Sequence, residues 1–219
     1  SMPLFGETPR VLGQLAATYI LAEWQGSLLV VDQHVAHERL LFERFQQARR
    51  QGRPAPSQPL LSPVQVRVST LASHVLEELR EWLAGAGLEL ELFGPSTWLV
   101  RRLPLEAAVP VQPDRLAAWL EEVAMVLAEQ AAAGEGAQGG APAFWEERAF
   151  KQLACRSAIK AGQSLSVATM EQLVQGLARA DQPYTCPHGR PIMVRVRVDA
   201  LHRRFGRSGP SRAVGNHGA

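Results

Sequence analysis

Val30–Glu43 reads VVDQHVAHERLLFE, and the rest of the chain is organised around it. The apolar run Leu28-Leu29-Val30-Val31 has strand character and delivers Asp32, Gln33 and His34 to the point where a helical period takes over. A carboxylate and an imidazole therefore stand at a strand-to-helix junction. On the helix, His34, Glu38, Leu41 and Phe45 fall at i, i+4, i+7 and i+11, so two potential metal ligands extend the stripe that must face the core. Glu43 lies about 140° round the helix from Glu38 and belongs to the opposite face. A histidine and a glutamate at this spacing are also what a solvated pair or a hydrogen-bonded core histidine would look like.

Two distant motifs favour the ligand reading. The only cysteines are Cys155, in ACRSAIK, and Cys186, in CPHGRP, two residues before His188. In an extended segment positions i and i+2 point the same way, so Cys186 and His188 can grip one ion. Thiolates and imidazoles select zinc, whereas carboxylates, water and phosphate oxygens suit manganese or magnesium. The mixed set His34, Glu38, Cys155, Cys186 and His188 suggests two kinds of ion, with Glu38 a candidate bridge and Asp32 turned toward solvent for a catalytic one.

Composition sets the frame. At 219 residues and 46% hydrophobic content the chain can bury a real core, as one large domain or two small ones. No apolar run approaches membrane-spanning length and Ser1-Met2-Pro3 has no signal-peptide pattern, so a cytoplasmic protein with no membrane partner is expected. Both cysteines are read as reduced thiols rather than a disulfide, because they sit in ligand-like motifs. A net charge of +2 does not by itself argue for nucleic acid. Arg190, Arg195, Arg197, Arg203, Arg204, Arg207 and Arg212 make the end of the chain locally basic, fit either to meet phosphates or to form a solvated strand and tail.

Upstream, Thr18–Leu21 and Leu28–Val31 flank Trp24-Gln25-Gly26-Ser27 and predict a β-hairpin feeding the junction. The helix from His34 is expected to stop at Gln51-Gly52, and the Pro-rich Arg53–Pro59 reads as a linker. Val64–Val68 then alternates as a strand, and one helix capped by Ser69-Thr70 is expected to reach Gly85. Strands follow at 88–93 and 97–103, then a helix from Pro113 through Gln130 and a flexible Gly/Ala-rich stretch, 131–142. A helix over Phe144–Ala161 carries Cys155, Ser166 caps another, and Ile192–Val198 alternates as a strand. Mixed α/β architecture is predicted, with a discontinuous main subdomain (5–62 and 143–207), a smaller inserted α/β subdomain (63–142) and a disordered tail (208–219).

DQHVAHERLLFE (32–43), ACRSAIK (154–160), CPHGRP (186–191) and FGR (205–207), in that order and across nearly the whole chain, resemble the endonuclease-bearing C-terminal domain of the MutL family of DNA mismatch repair proteins. The family pattern is DQHA, two residues, Glu, four residues, Glu, and Val35 stands here where alanine is usual. Valine is bulkier and β-branched, so the helix entry is expected to pack differently without removing a ligand. The resemblance implies a homodimer whose metal-dependent site nicks DNA, with Asp32, His34 and Glu38 catalytic; His37, beside Glu38 on the helix, is only a candidate to support the ligands. It implies Zn2+ alongside catalytic Mn2+ or Mg2+, and weak DNA binding by this piece alone. The insertion corresponds to the family's regulatory subdomain. Gln58, Leu60, Leu61 and Pro63 resemble the family's sliding-clamp motif. Arg190 and Arg207 are candidates to hold a DNA phosphate, or else edge salt bridges. No phosphate loop of the G-x-x-x-x-G-K-[ST] type is present, and the resemblance, which covers only the C-terminal part of a longer protein, implies that ATP would bind a separate N-terminal domain and that the mismatch recognition protein MutS would engage the full-length protein. The competing expectation is a non-catalytic module in which zinc ties three distant segments together, serving dimerisation and clamp binding.

Overall fold

A computed structural model describes residues 8–135 and 142–207; the expected disordered tail and residues 136–141 of the expected flexible stretch lie outside them. The chain opens with β1 (Arg10–Leu15), β2 (Tyr19–Trp24) and β3 (Ser27–Asp32), followed by α1 (Gln33–Arg50). The β2–β3 turn is made by Gln25 and Gly26, both at positive φ (46° and 61°), the backbone twist that closes a two-residue hairpin. Next come β4 (Ser57–Arg67), α2 (Thr70–Glu78), α3 (Arg80–Gly85), β5 (Glu89–Gly94) and β6 (Thr97–Pro104). The chain continues through α4 (Pro113–Glu135), α5 (Pro142–Ser157), α6 (Val167–Arg179), β7 (Met193–Arg197) and α7 (Val198–Arg204).

The strands form two antiparallel sheets, a four-stranded one ordered β1-β2-β3-β7 and a three-stranded one ordered β4-β6-β5. This is the mixed α/β class expected. Two apolar cores follow the sheets. Ile20, Ala22, Leu29 and Val31 on the inner face of the first sheet pack with Val35 and Ala36 of α1 and Met170, Leu173 and Leu177 of α6. Leu41, Phe42 and Phe45, farther along α1, join the second core with α4, α5 and the three-stranded sheet. One helix thus carries the site at its start and stitches both cores together.

Several boundaries differ from the sequence reading, and α4 runs through Glu135, five residues into the stretch expected to be flexible. Part of the expected linker is strand: Ser57, Gln58 and Pro59 pair with Pro104, Leu103 and Arg102 of β6. Proline lacks a donor and is tolerated because β4 is an edge strand. The expected single helix after Ser69 is divided at Leu79 (φ −96°, ψ 6°) into α2 and α3. The helix carrying Cys155 stops at Ser157 rather than Ala161, because the next residues give their backbone groups to α1 side chains. The last strand ends at Arg197, and α7 was not anticipated at all.

Candidate metal centre

The site is built where β3 becomes α1. Asp32 is the N-cap of that helix: its Oδ1 accepts the backbone N–H groups of His34 and Val35, each at 3.0 Å. Gln33 is fully buried, and its side-chain amide donates to the carbonyls of Ala17 (2.8 Å), Lys160 (2.9 Å) and Gln163 (3.0 Å). It ties the β1–β2 turn to the segment that follows α5. Val35 is buried in the first core at 4% exposure, so the larger residue is absorbed by apolar packing.

One turn on, Glu38 is fully buried at the centre of two groups of ligand atoms. His34, Glu38 and Cys155 place one donor atom each within 4.8 Å of one another, and so do Glu38, Cys186 and His188. Within the first group, His34 Nε2 lies 3.7 Å from Glu38 Oε2 and 3.9 Å from Cys155 Sγ. Within the second, His188 Nδ1 is 2.7 Å from Glu38 Oε1. Glu38 is common to both. Its Oε2 is buried with no hydrogen-bond partner among the described residues. An isolated buried carboxylate oxygen is costly, and a cation is the partner its position fits.

CPHGRP reaches the site as a turn rather than the extended segment expected. Gly189 N–H donates to the Cys186 carbonyl (2.9 Å), Cys186 N–H donates to the Arg190 carbonyl (2.8 Å), and Gly189 takes φ 84°, which favours glycine. The turn aims the backbone N–H groups of His188 (3.2 Å) and Arg190 (3.3 Å) at Cys186 Sγ. Cys155 stands differently. Its thiol is pushed up, first by burial and then by the charge of Glu38, while Lys160, Arg156 and Arg190 pull it down. A divalent ion beside Glu38 would reverse the largest charge effect.

Behind the donors, His34 and His37 both meet Ile159. His34 Nδ1 is 2.8 Å from the Ile159 carbonyl, and His37 Nδ1 accepts the Ile159 N–H at 3.0 Å. Burial lowers the His37 pKa to about 4 against a smaller opposing effect of Glu106, so the ring is neutral near pH 7. Sequence reasoning missed Ile159, which carries no functional group of its own.

The side chains of the remaining candidates belong to neither donor group. Asp32 belongs to neither group and spends an oxygen on the helix cap. Glu43, on the opposite face, accepts the N–H groups of Asp181 (2.8 Å) and Gln182 (2.9 Å). Arg190 and Arg207 are exposed, and no hydrogen bond or ion pair among the described residues links either side chain to the donors. Gln58, Leu60, Leu61 and Pro63 lie on β4. Pairing with β6 shifts there from Pro59↔Arg102 to Val64↔Val100, so Leu60–Pro63 arches off the edge. Leu61 is wholly exposed, while Leu60 packs against the second core. No helix of the described residues is long and apolar enough to cross a membrane.

Comparison with known proteins places the chain in a family. The family model for the MutL C terminal dimerisation domain matches residues 12–165. The chain is 34% identical over 198 residues, 90% of its own length, to a DNA mismatch repair protein MutL of Halothermothrix orenii. It is 37% identical over 196 residues, again 90% of its length, to the Pelotomaculum thermopropionicum MutL, and 35% identical over 187 residues, 85% of its length, to that of Methanocorpusculum labreanum. It covers 29%, 30% and 29% of those proteins, less than a third of each. A match over most of its residues, with relatives of this identity, establishes that the chain belongs to the family of the MutL C-terminal dimerisation domain.

Proposed function

We propose that this chain is the metal-dependent DNA-nicking domain of a MutL-type mismatch repair homodimer working in the cytoplasm. The observation that carries the reading is Glu38, fully buried, with an Oε2 that has no hydrogen-bond partner among the described residues, and shared by two donor groups. His34, Cys155, Cys186 and His188 complete a set suited to zinc, and Glu38 also suits manganese or magnesium. Divalent ions held by these residues would supply an activated water and stabilise the leaving oxygen of a phosphodiester. The chain's part is to hold His34 and Glu38 rigidly at the junction, orient Cys186 Sγ through the backbone N–H groups of His188 and Arg190, and present Arg190, with Arg207 as a second candidate, to a phosphate. Asp32 orients the first turn of the helix and is the carboxylate nearest in sequence to serve a catalytic ion. ATP would bind, and MutS would engage, parts of the longer relatives that this chain does not cover.

The surfaces suit the same reading. The arch at Leu60–Pro63 offers Leu61 and the exposed Gln58 to an apolar groove on a replication sliding clamp. The outer face of the four-stranded sheet carries Leu15 and Tyr19, and the cross-strand row Leu21, Val30 and Val194. Leu15, Tyr19 and Val194 are 54%, 40% and 58% exposed, an apolar surface fit for the homodimer. We assign residues 5–62 and 143–207 to the dimerisation and metal unit and 63–142 to the inserted regulatory unit.

A second reading rests on Asp32, whose Oδ1 is occupied as a helix cap: a zinc-stabilised dimerisation and clamp-binding module without catalysis. Supercoiled plasmid with Mn2+ decides between them. The nuclease reading expects nicking by the wild-type chain, which is weak without its ATPase domain, and loss in Asp32→Asn with dimer and zinc retained. Nicking that survives intact in Asp32→Asn refutes the role given to Asp32, and a wild-type chain that never nicks supports the module.

A further inference from the structure

His34 and His37 are three residues apart on α1, so they lie on one face, and both reach the backbone of one residue. That residue is Ile159, which is 6% exposed and anchored in the first core. A carbonyl oxygen can only accept, so the 2.8 Å contact from His34 Nδ1 requires the proton on Nδ1 and leaves Nε2 bare in the neutral ring. Nε2 is the atom that faces Glu38 Oε2 and Cys155 Sγ. A backbone N–H can only donate, so His37 must leave its own Nδ1 bare to take the Ile159 N–H at 3.0 Å. The two rings thus have opposite tautomers, each dictated by one end of the same residue.

We propose that His37 is a positioning residue: by holding the Ile159 N–H it fixes the Ile159 carbonyl, which in turn sets the tautomer and ring orientation of His34 so that Nε2 points its lone pair at Glu38 and Cys155. It rests on the reading of the donors as a metal site for its purpose, but the tautomers themselves exist without any ion. The same contacts explain why α5 stops at Ser157. A helix continued through Ile159 would spend its N–H on the carbonyl four residues back and deprive His37 of its partner.

Two-bond 15N–1H correlation spectra of the histidines in the chelator-treated chain test this directly. The expected pattern is His34 protonated at Nδ1 and His37 protonated at Nε2; a wild-type His34 protonated at Nε2 overturns the proposal before any variant is made. In His37→Leu the His34 pattern should be lost to averaging or reversal, and zinc affinity, read by competition with a chromophoric chelator, should fall about tenfold or more. His37→Gln retains an acceptor for the Ile159 N–H and should restore both. Unchanged His34 tautomer and zinc affinity in a folded His37→Leu would also overturn the assignment. If the wild-type chain has the expected tautomers and takes up no zinc, the clamp on His34 stands and the metal reading falls.

Discussion

At the scale of single residues the account turns on neighbours that sequence distance hides. His37 gives a pH prediction. Its folded pKa of about 4 lies below the ordinary 6.5, so its share of stability is fully present above pH 6.5 and is lost as pH falls toward 4. The shift corresponds to roughly 3 kcal/mol at most, spread over that window. Urea titrations of the metal-free chain should therefore show the stability advantage of wild type over His37→Gln shrinking between pH 6.5 and 4; a constant difference across the window contradicts the burial argument. The donors were legible because Cys, His and Glu are scarce and chemically marked. Ile159 was not, since its contribution is a peptide group that any residue possesses.

At the scale of elements, α1 carries two duties at its first turn. Asp32→Ala should cost about 1 kcal/mol through loss of the cap, whereas Asp32→Asn should change stability by only a few tenths, asparagine being as good a cap. Thermal denaturation of both variants checks this, and equal losses would mean that the capping geometry is not what matters. It also makes Asn the substitution that separates helix stability from any chemistry of the carboxylate. On β4, Leu61→Ala should leave stability within about 0.5 kcal/mol because the side chain is wholly exposed, while Gln58→Ala with Leu61→Ala should abolish clamp binding in a titration. Unchanged clamp affinity would dismiss the arch as a docking element. Periodicity placed most elements within a few residues. It failed at Ala158–Lys160, where Gln33, His34 and His37 claim the backbone from more than 120 positions away. It failed too at Ser57–Pro59, where prolines read as linker but an edge strand accepts them.

For the whole molecule, two sheets share one long helix, and the outer face of the four-stranded sheet is where a second copy would bury apolar surface. Val194→Glu places a charge on that face at a site already 58% exposed, so the fold should survive while sedimentation shows a monomer. An unaltered dimer would move the interface elsewhere. This surface could not be read from sequence, because Leu21, Val30 and Val194 are ordinary strand residues until the cross-strand register sets them in one row. The claim beneath all of this is that Glu38 joins Cys155, Cys186 and two histidines around bound metal. X-ray absorption at the zinc edge of the zinc-loaded chain tests it most directly. The account predicts a shell of mixed sulfur near about 2.3 Å and nitrogen or oxygen near about 2.0–2.2 Å, with the sulfur contribution reduced in Cys186→Ser. A shell of oxygen alone, unchanged by that substitution, would contradict it.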